Sequence, residues 1–184
     1  VQSCMKCHGT DDAFKVVNGD TISLKVDHEI LRNSEHKDIT CVKCHTNVTP
    51  DHDERPCFTV GSVDCSSCHL EISNLFFNSG HGVSYVNKHE NAPYCIDCHG
   101  GHDVMSHHDE RSPAFRTNIP KLCGDCHKED GKANKERDLK EKNAYYDYSM
   151  SVHGEGLTGK GLLVSAVCTD CHTTHFMLRE DDPQ

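Results

Sequence analysis

The sequence predicts a chain of mostly irregular coil, with short α-helices at recurring cysteine motifs and one small β-hairpin, packed around something other than its own side chains. Three observations carry this prediction. Large apolar side chains are scarce: hydrophobic residues make up 35% of the 184 positions and tryptophan is absent. Soluble domains run at about 45–50% apolar with glycine counted, and the 13 glycines here do not close the gap. Thirteen cysteines and sixteen histidines stand where aliphatic residues would be expected. The best strand signal is Phe14–Val26, where Asn18-Gly19 separates two short runs and Ile22, Leu24 and Val26 alternate, the pattern of a two-residue hairpin turn.

Twelve of the cysteines fall in six copies of Cys-x-x-Cys-His: Cys4/Cys7/His8, Cys41/Cys44/His45, Cys65/Cys68/His69, Cys95/Cys98/His99, Cys123/Cys126/His127 and Cys168/Cys171/His172. This is the attachment motif of c-type haem. Two thiols one helical turn apart can add to the two vinyl groups on one edge of a porphyrin. The following histidine then supplies a proximal nitrogen to the iron. A zinc site would pair the Cys-x-x-Cys units two by two and would not require a histidine after each. A disulfide scaffold would not need the histidine at all. Six covalently bound haem c groups are therefore expected, and as large flat apolar bodies they would form the core. The thirteenth cysteine, Cys57, has no motif partner and reads as a free thiol or an intermolecular disulfide.

Six-coordinate iron with two histidines needs six more imidazoles, and internal repeats select them. One stretch runs Cys65 to His69, Ser79-Gly80-His81-Gly82, then Cys95 to His99 and His102. Another runs Cys123 to His127, Ser151-Val152-His153-Gly154, then Cys168 to His172 and His175. A looser copy has Cys4 to His8, Ser34-Glu35-His36, Cys41 to His45 and His52. The chain thus reads as one hexahaem domain, 1–184, of three two-haem modules: 1–56, 57–111 and 112–184. The distal candidates are His36, His52, His81, His102, His153 and His175. His28 rivals His52, and His89, His107 and His108 have no repeat partner. In a short helix, residues three apart share a face, so His102 and His175 lie too close to the proximal side of their own haems and are expected to ligate neighbouring ones.

Between motifs, Lys128–Lys142 carries dense charge of both signs, with Glu136/Lys140 and Asp138/Lys142 at helical spacing, and predicts a solvated helix. Tyr145, Tyr146 and Tyr148 are expected to cover haem. The stretch from Asp109 through Pro113 to Pro120 reads as a linker whose prolines break helix.

The balance of 19 basic against 29 acidic residues gives a net charge of −10, which argues against nucleic acid as a partner. No run of about 18 apolar residues is present, so no transmembrane segment is expected. The chain is expected to be exported by a signal peptide that the numbering lacks.

The paired motifs, the Ser-x-His-Gly before the second of a pair, the Asp-Cys-His-x-x-His after it and the Asn118-Ile-Pro-x-x-Cys-Gly124 segment resemble the doubled-motif multihaem cytochromes c. Within that group the chain is similar to the subunits of extracellular cytochrome filaments, or nanowires. That resemblance implies an ordered haem row joined end to end between subunits, with a histidine of one subunit able to ligate a haem of the next. Other relatives are monomeric periplasmic carriers or partners of reductases. The short first module, with His36 only five residues before Cys41, departs from the pattern.

The function expected is electron transfer along a row of bis-histidine, low-potential haems, in an extracellular filament that self-associates head to tail and meets other redox proteins or extracellular acceptors. A soluble periplasmic shuttle is the alternative. A multihaem reductase with one open iron is the alternative of another class, and nothing in the motifs forces an iron to be open, so the chain is read as a carrier and not an enzyme, with no catalytic residues.

Overall fold

A computed structural model describes residues 2–48, 63–136, 139 and 141–178. Most of these are turns and coil, joined by eleven short helices and one two-stranded antiparallel sheet. The chain divides into two compact units, Val1–Ser67 with Gly101–Val104, and Cys68–Gly100 with Met105–Gln184.

In the first unit, α1 (Gln2–His8) carries the first motif. Strands β1 (Phe14–Val17) and β2 (Asp20–Ser23) pair with Phe14 opposite Ser23 and Val17 opposite Asp20. Asn18 and Gly19 both take positive φ, 54° and 93°, the type I′ geometry that matches strand twist. The chain leaving β2 returns to α1, because the Val26 amide donates to the His8 carbonyl at 2.6 Å and the Leu24 amide to Ala13 at 2.7 Å. Asp27 caps α2 (His28–Arg32) by accepting from the Glu29 amide at 2.8 Å. Helix α3 (Cys41–Cys44) is the second motif, and a 3₁₀ turn at Cys65–Ser67 opens the third.

The second unit repeats one local design. After α4 (Leu70–Phe77), Ser79 starts α5 (Gly80–Val86), its Oγ accepting from the Gly82 amide at 3.1 Å. After α9 (Ala144–Met150), Ser151 starts α10 (Val152–Gly154), its Oγ accepting from the Gly154 amide at 3.2 Å. These are N-caps, satisfying amides that the first helical turn leaves unpaired. The glycine of each Ser-x-His-Gly is required sterically. A Cβ on Gly82 would collide with the Phe76 carbonyl, and one on Gly154 with the Tyr148 carbonyl.

The aspartate of each Cys-x-Asp-Cys at the start of a helix has an equally local purpose. In α6 (Cys95–His99) Asp97 accepts from the Tyr94 amide at 2.7 Å, and in α11 (Cys168–His172) Asp170 accepts from the Val167 amide at 2.8 Å. Arg116 then grips Asp170 with a two-pronged fork, at 3.2 and 2.7 Å, while donating to the Leu163 and Ser165 carbonyls, both at 2.8 Å. Bidentate guanidinium–carboxylate pairs fix geometry as well as charge, so this clamp sets the sixth motif against the 163–165 loop.

Two expectations are corrected. Pro120 does not break a helix. It lies in the first turn of α7 (Ile119–Gly124), where its missing N–H costs nothing and its fixed φ favours helix. The charged stretch 128–142 is not one helix; its described helical part is α8 (Lys132–Glu136). Asn134 draws the surrounding chain into a loop, its side-chain amide donating to Lys128 and Lys142 carbonyls at 2.7 and 2.6 Å. The Lys140 and Asp138 halves of the predicted pairs lie outside the described residues.

Side chains alone provide little core. The buried apolar residues described are Tyr94, Leu157 and Val167, while twenty large apolar side chains stay exposed, Val164 at 89% and Val152 at 79% among them. One aromatic cluster does pack in the second unit: Tyr85 stacks on Tyr94 with ring centroids 4.4 Å apart, and Phe76 meets Tyr94 edge-on at 6.0 Å. It joins α4 and α5 to the start of α6.

Candidate haem centres

All twelve motif cysteines are free thiols. Where a motif is helical its two thiols sit one turn apart on the same face, as the two vinyl groups of one porphyrin require. Thiols of different motifs also meet. The Cys41 thiol is pushed up by burial and by Cys4. Cys98 is raised by burial, then by Asp97 and Cys126. Cys123 donates to Cys168, which raises Cys123 and draws Cys168 down to about 7. The first cysteines of motifs one and two, the first cysteines of motifs five and six, and the second cysteines of motifs four and five are thus neighbours.

The twelve thiols differ in exposure. Cys7, Cys68 and Cys171, the second cysteines of motifs one, three and six, are exposed, whereas the other nine are half-buried. Cys7 is followed by the last residue of α1 and Cys171 by the last residue of α11, while the 3₁₀ turn of motif three ends just before Cys68. Cys98 stands at the same place in α6 and is half-buried, with Cys126 among its electrostatic neighbours. In motifs one and six the thiol pair therefore runs from a half-buried first cysteine, Cys4 or Cys168, to an exposed second one.

The imidazoles are arranged in pairs. His45 faces His102 with ring centroids 6.0 Å apart, His127 faces His81 at 6.0 Å, and His99 faces His175 at 5.9 Å. Each pair joins one motif histidine to one histidine outside the motifs. Burial lowers the pKa of His45, His99, His127 and His175, with neighbouring imidazoles adding to the effect in the first three. Burial thus favours the neutral form of all four, the form that ligates metal.

Helix geometry is not what carries His102 and His175 away from their own motifs. Both α6 and α11 end at the motif histidine, so the expected i, i+3 relation on one helix face does not arise. The next residue reverses the chain: Gly100 has φ 79° and ψ 177°, Thr173 has φ 62° and ψ 179°. Two residues beyond each outer histidine a backbone bond anchors the strap. The Glu35 amide donates to Val104 at 2.8 Å, and the Gly80 amide donates to Met177 at 2.7 Å. Glu35 and Gly80 are the residues immediately before His36 and His81, so the looser first copy shares this feature with the second.

His8 is oriented by the hairpin exit, its Nδ1 bonding the Leu24 carbonyl at 3.0 Å. That assigns the proton to Nδ1 and leaves Nε2 as the donor nitrogen. The backbone amide of His36 donates to Ser34 Oγ at 3.1 Å. His69 is an electrostatic neighbour of His99. His153 and His172 are exposed, and among the described residues neither faces another imidazole across a ring pair. His28 lines a cavity of about 470 Å³ beside the first motif, with Met5, Gly9, Lys25, Val26 and Asp27. His107 and His108 lie against each other at 3.8 Å. Of the three tyrosines expected to cover haem, Tyr145 packs on Gly124 and Tyr148 Oη donates to the Ala166 carbonyl at 3.1 Å, while Tyr146 is exposed. His52 and Cys57 lie outside the described residues.

These residues fit haem c. Two metal–imidazole bonds of the usual length, plus the offset of each donor nitrogen from its ring centre, separate two ring centroids by about 6 Å. The three observed pairs match that span. The poverty of buried side chains matches a core that a large planar apolar group completes.

A family model for cytochrome c3 matches residues 33–128, which is 96 of the 184 positions. The chain belongs to the cytochrome c3 family. The cytochrome c3 match runs from just before His36 to just after His127 and takes in the second to fifth motifs. Members of the family bind haem c at several sites and transfer electrons. No curated protein and no solved structure matches the chain. Among the described residues no helix is long and apolar enough to cross a membrane.

Sequence reasoning missed four contributors. The Leu24 carbonyl is invisible because it belongs to backbone. Asp97 and Asp170 were quoted within their motifs but not as caps, although an acidic residue at the third helical position is a capping signal. Thr173 gave no signal, since threonine is not a residue expected at positive φ.

Proposed function

We propose that the chain carries six haem c groups as its interior, each attached through one Cys-x-x-Cys pair and ligated by that motif's histidine and a second imidazole. Proximal ligands are His8, His45, His69, His99, His127 and His172. The exposed Cys7, Cys68 and Cys171 keep their thioether role, and the haems they hold present that edge at the surface. The observation that carries this reading is the set of three imidazole pairs, which supports His102 as the second ligand to the iron of His45, His175 to that of His99 and His81 to that of His127. His36 and His153 take the same role from their Ser-x-His settings, and His52 from sequence alone. When bound, haem iron supplies one-electron chemistry, and two imidazoles place it at low potential relative to Met/His ligation. The meeting of thiols between motifs one and two, four and five, and five and six supports a row in which neighbouring porphyrin edges approach closely enough for electrons to hop.

The pairs obey one register. His102 and His175 each reach back to the second motif of the preceding module. His81 reaches forward to the first motif of the following module. Advanced by one module, this register sets His153 and the iron of His172 against a further two-haem module. A second copy of the chain carries such a module in residues 1–56. The chain is on this reading the subunit of an extracellular head-to-tail filament, since contacts that repeat without closing propagate.

Pyridine haemochrome analysis tests the haem reading and should return six per chain. Negative-stain microscopy over a concentration series tests the filament. Threads that lengthen with concentration are expected; discrete particles throughout would leave a soluble periplasmic shuttle. Cyanide that alters the Soret band of assembled protein would instead favour a reductase with an open iron.

A further inference from the structure

The backbone at Thr173 is expensive. A φ of 62° with ψ of 179° falls in a region that essentially only glycine occupies, and strained residues persist where surroundings over-determine them. A β-branched side chain makes the conformation worse. The equivalent position after the fourth motif is Gly100, with the same angles to within about 20°. One turn therefore recurs twice, and only one copy has the residue that suits it.

Thr173 brings something glycine lacks. Its Oγ1 donates to the Phe176 carbonyl at 2.7 Å, bridging across His175. Beyond it, the Met177 carbonyl is fixed by the Gly80 amide at 2.7 Å. His175 is held between these two anchors, 5.9 Å from His99. Without the reversed turn, the chain after His172 would run on past α11 and His175 would not be directed to His99.

We propose that Thr173 is a positioning residue: its strained turn and its hydroxyl bond to Phe176 carry His175 to the iron of His99. The inference rests on the reading of His99 and His175 as an axial pair.

Carbon monoxide bound by the dithionite-reduced, haem-loaded full chain, counted beyond what the unsubstituted chain binds under the same conditions, tests it, alongside haem content by intact mass. His175→Ala is the reference and should open one haem to one CO per chain. Thr173→Val deletes the hydroxyl while keeping the branch, and should likewise bind one CO per chain and show the matching loss of low-spin signal. Thr173→Ser retains the hydroxyl and Thr173→Gly accepts the backbone angles unstrained, so both should bind none. Thr173→Ala should behave as the valine variant and substitutes for it if that one does not accumulate. A Thr173→Val or Thr173→Ala chain that binds no CO while His175→Ala binds one would overturn the positioning role alone. Serine and glycine variants that open like valine would overturn it too. A His175→Ala chain that binds no CO would overturn the axial-pair reading itself.

Discussion

The segments Ser79–Gly82 and Ser151–Gly154 have the same serine cap, the same glycine packed under a preceding carbonyl and a helix that starts at the residue after the serine. Their histidines nevertheless meet different surroundings. His81 faces His127 at 6.0 Å, whereas His153 is exposed with no ring pair among the described residues. Local sequence thus dictates how a histidine is presented, and the next module dictates what it is presented to. His127 lies in the module after His81. The module that would follow His153 is, on the proposed reading, another copy.

The largest expected break in this comparison is at the histidines themselves. In dilute protein His81→Ala should open one haem to CO and raise one reduction potential. His153→Ala should leave CO binding unchanged and should weaken association instead, seen by sedimentation. Equal effects of the two substitutions on CO binding would remove the distinction.

Glycine substitution should come next. Gly82→Ala and Gly154→Ala each force a methyl group against a backbone carbonyl, an overpacking cost of about 1–3 kcal/mol, visible as a lowered thermal midpoint. The two should destabilise alike, because the clash is local, yet only Gly82→Ala should disturb the spin state of a haem.

Losing the cap is milder. Ser79→Ala and Ser151→Ala should each cost about 0.5–2 kcal/mol by leaving a first-turn amide unpaired, again by thermal unfolding. The smallest effect lies elsewhere. Lys25 and Asp11 pair at 2.7 Å with both side chains exposed, and Lys25→Ala should leave the thermal midpoint and every potential essentially unchanged.

The sequence made most of the short-range structure legible. Asn18-Gly19 announced the hairpin, and both angles are those the turn demands. The Ser-x-His-Gly repeat announced two helix starts whose caps and close approaches follow from the residue types. What was hidden depended on where chains stop or meet. The helices of Cys95–His99 and Cys168–His172 end at the histidine, and the residue that follows is glycine once and threonine once, so no shared residue type marked the reversal. The six motifs look alike in sequence, yet Cys98 is half-buried and Cys7 and Cys171 are exposed. Pro120 looked like a breaker because its position relative to the helix start could not be read. Asn134 closes its loop through carbonyls of Lys128 and Lys142, a tertiary choice that charge spacing along 128–142 does not encode. Which motif histidine stands beside His81, His102 or His175 was not legible, since each pairing links residues of different modules.

The most direct test of the account is the number of low-spin, six-coordinate haems per chain in the assembled, fully loaded protein, from pyridine haemochrome content combined with quantitative EPR. Six haems, all low-spin with two nitrogen ligands, is the predicted result. A substantially smaller haem number, or irons that are high-spin at the His45, His99 and His127 sites, would contradict it.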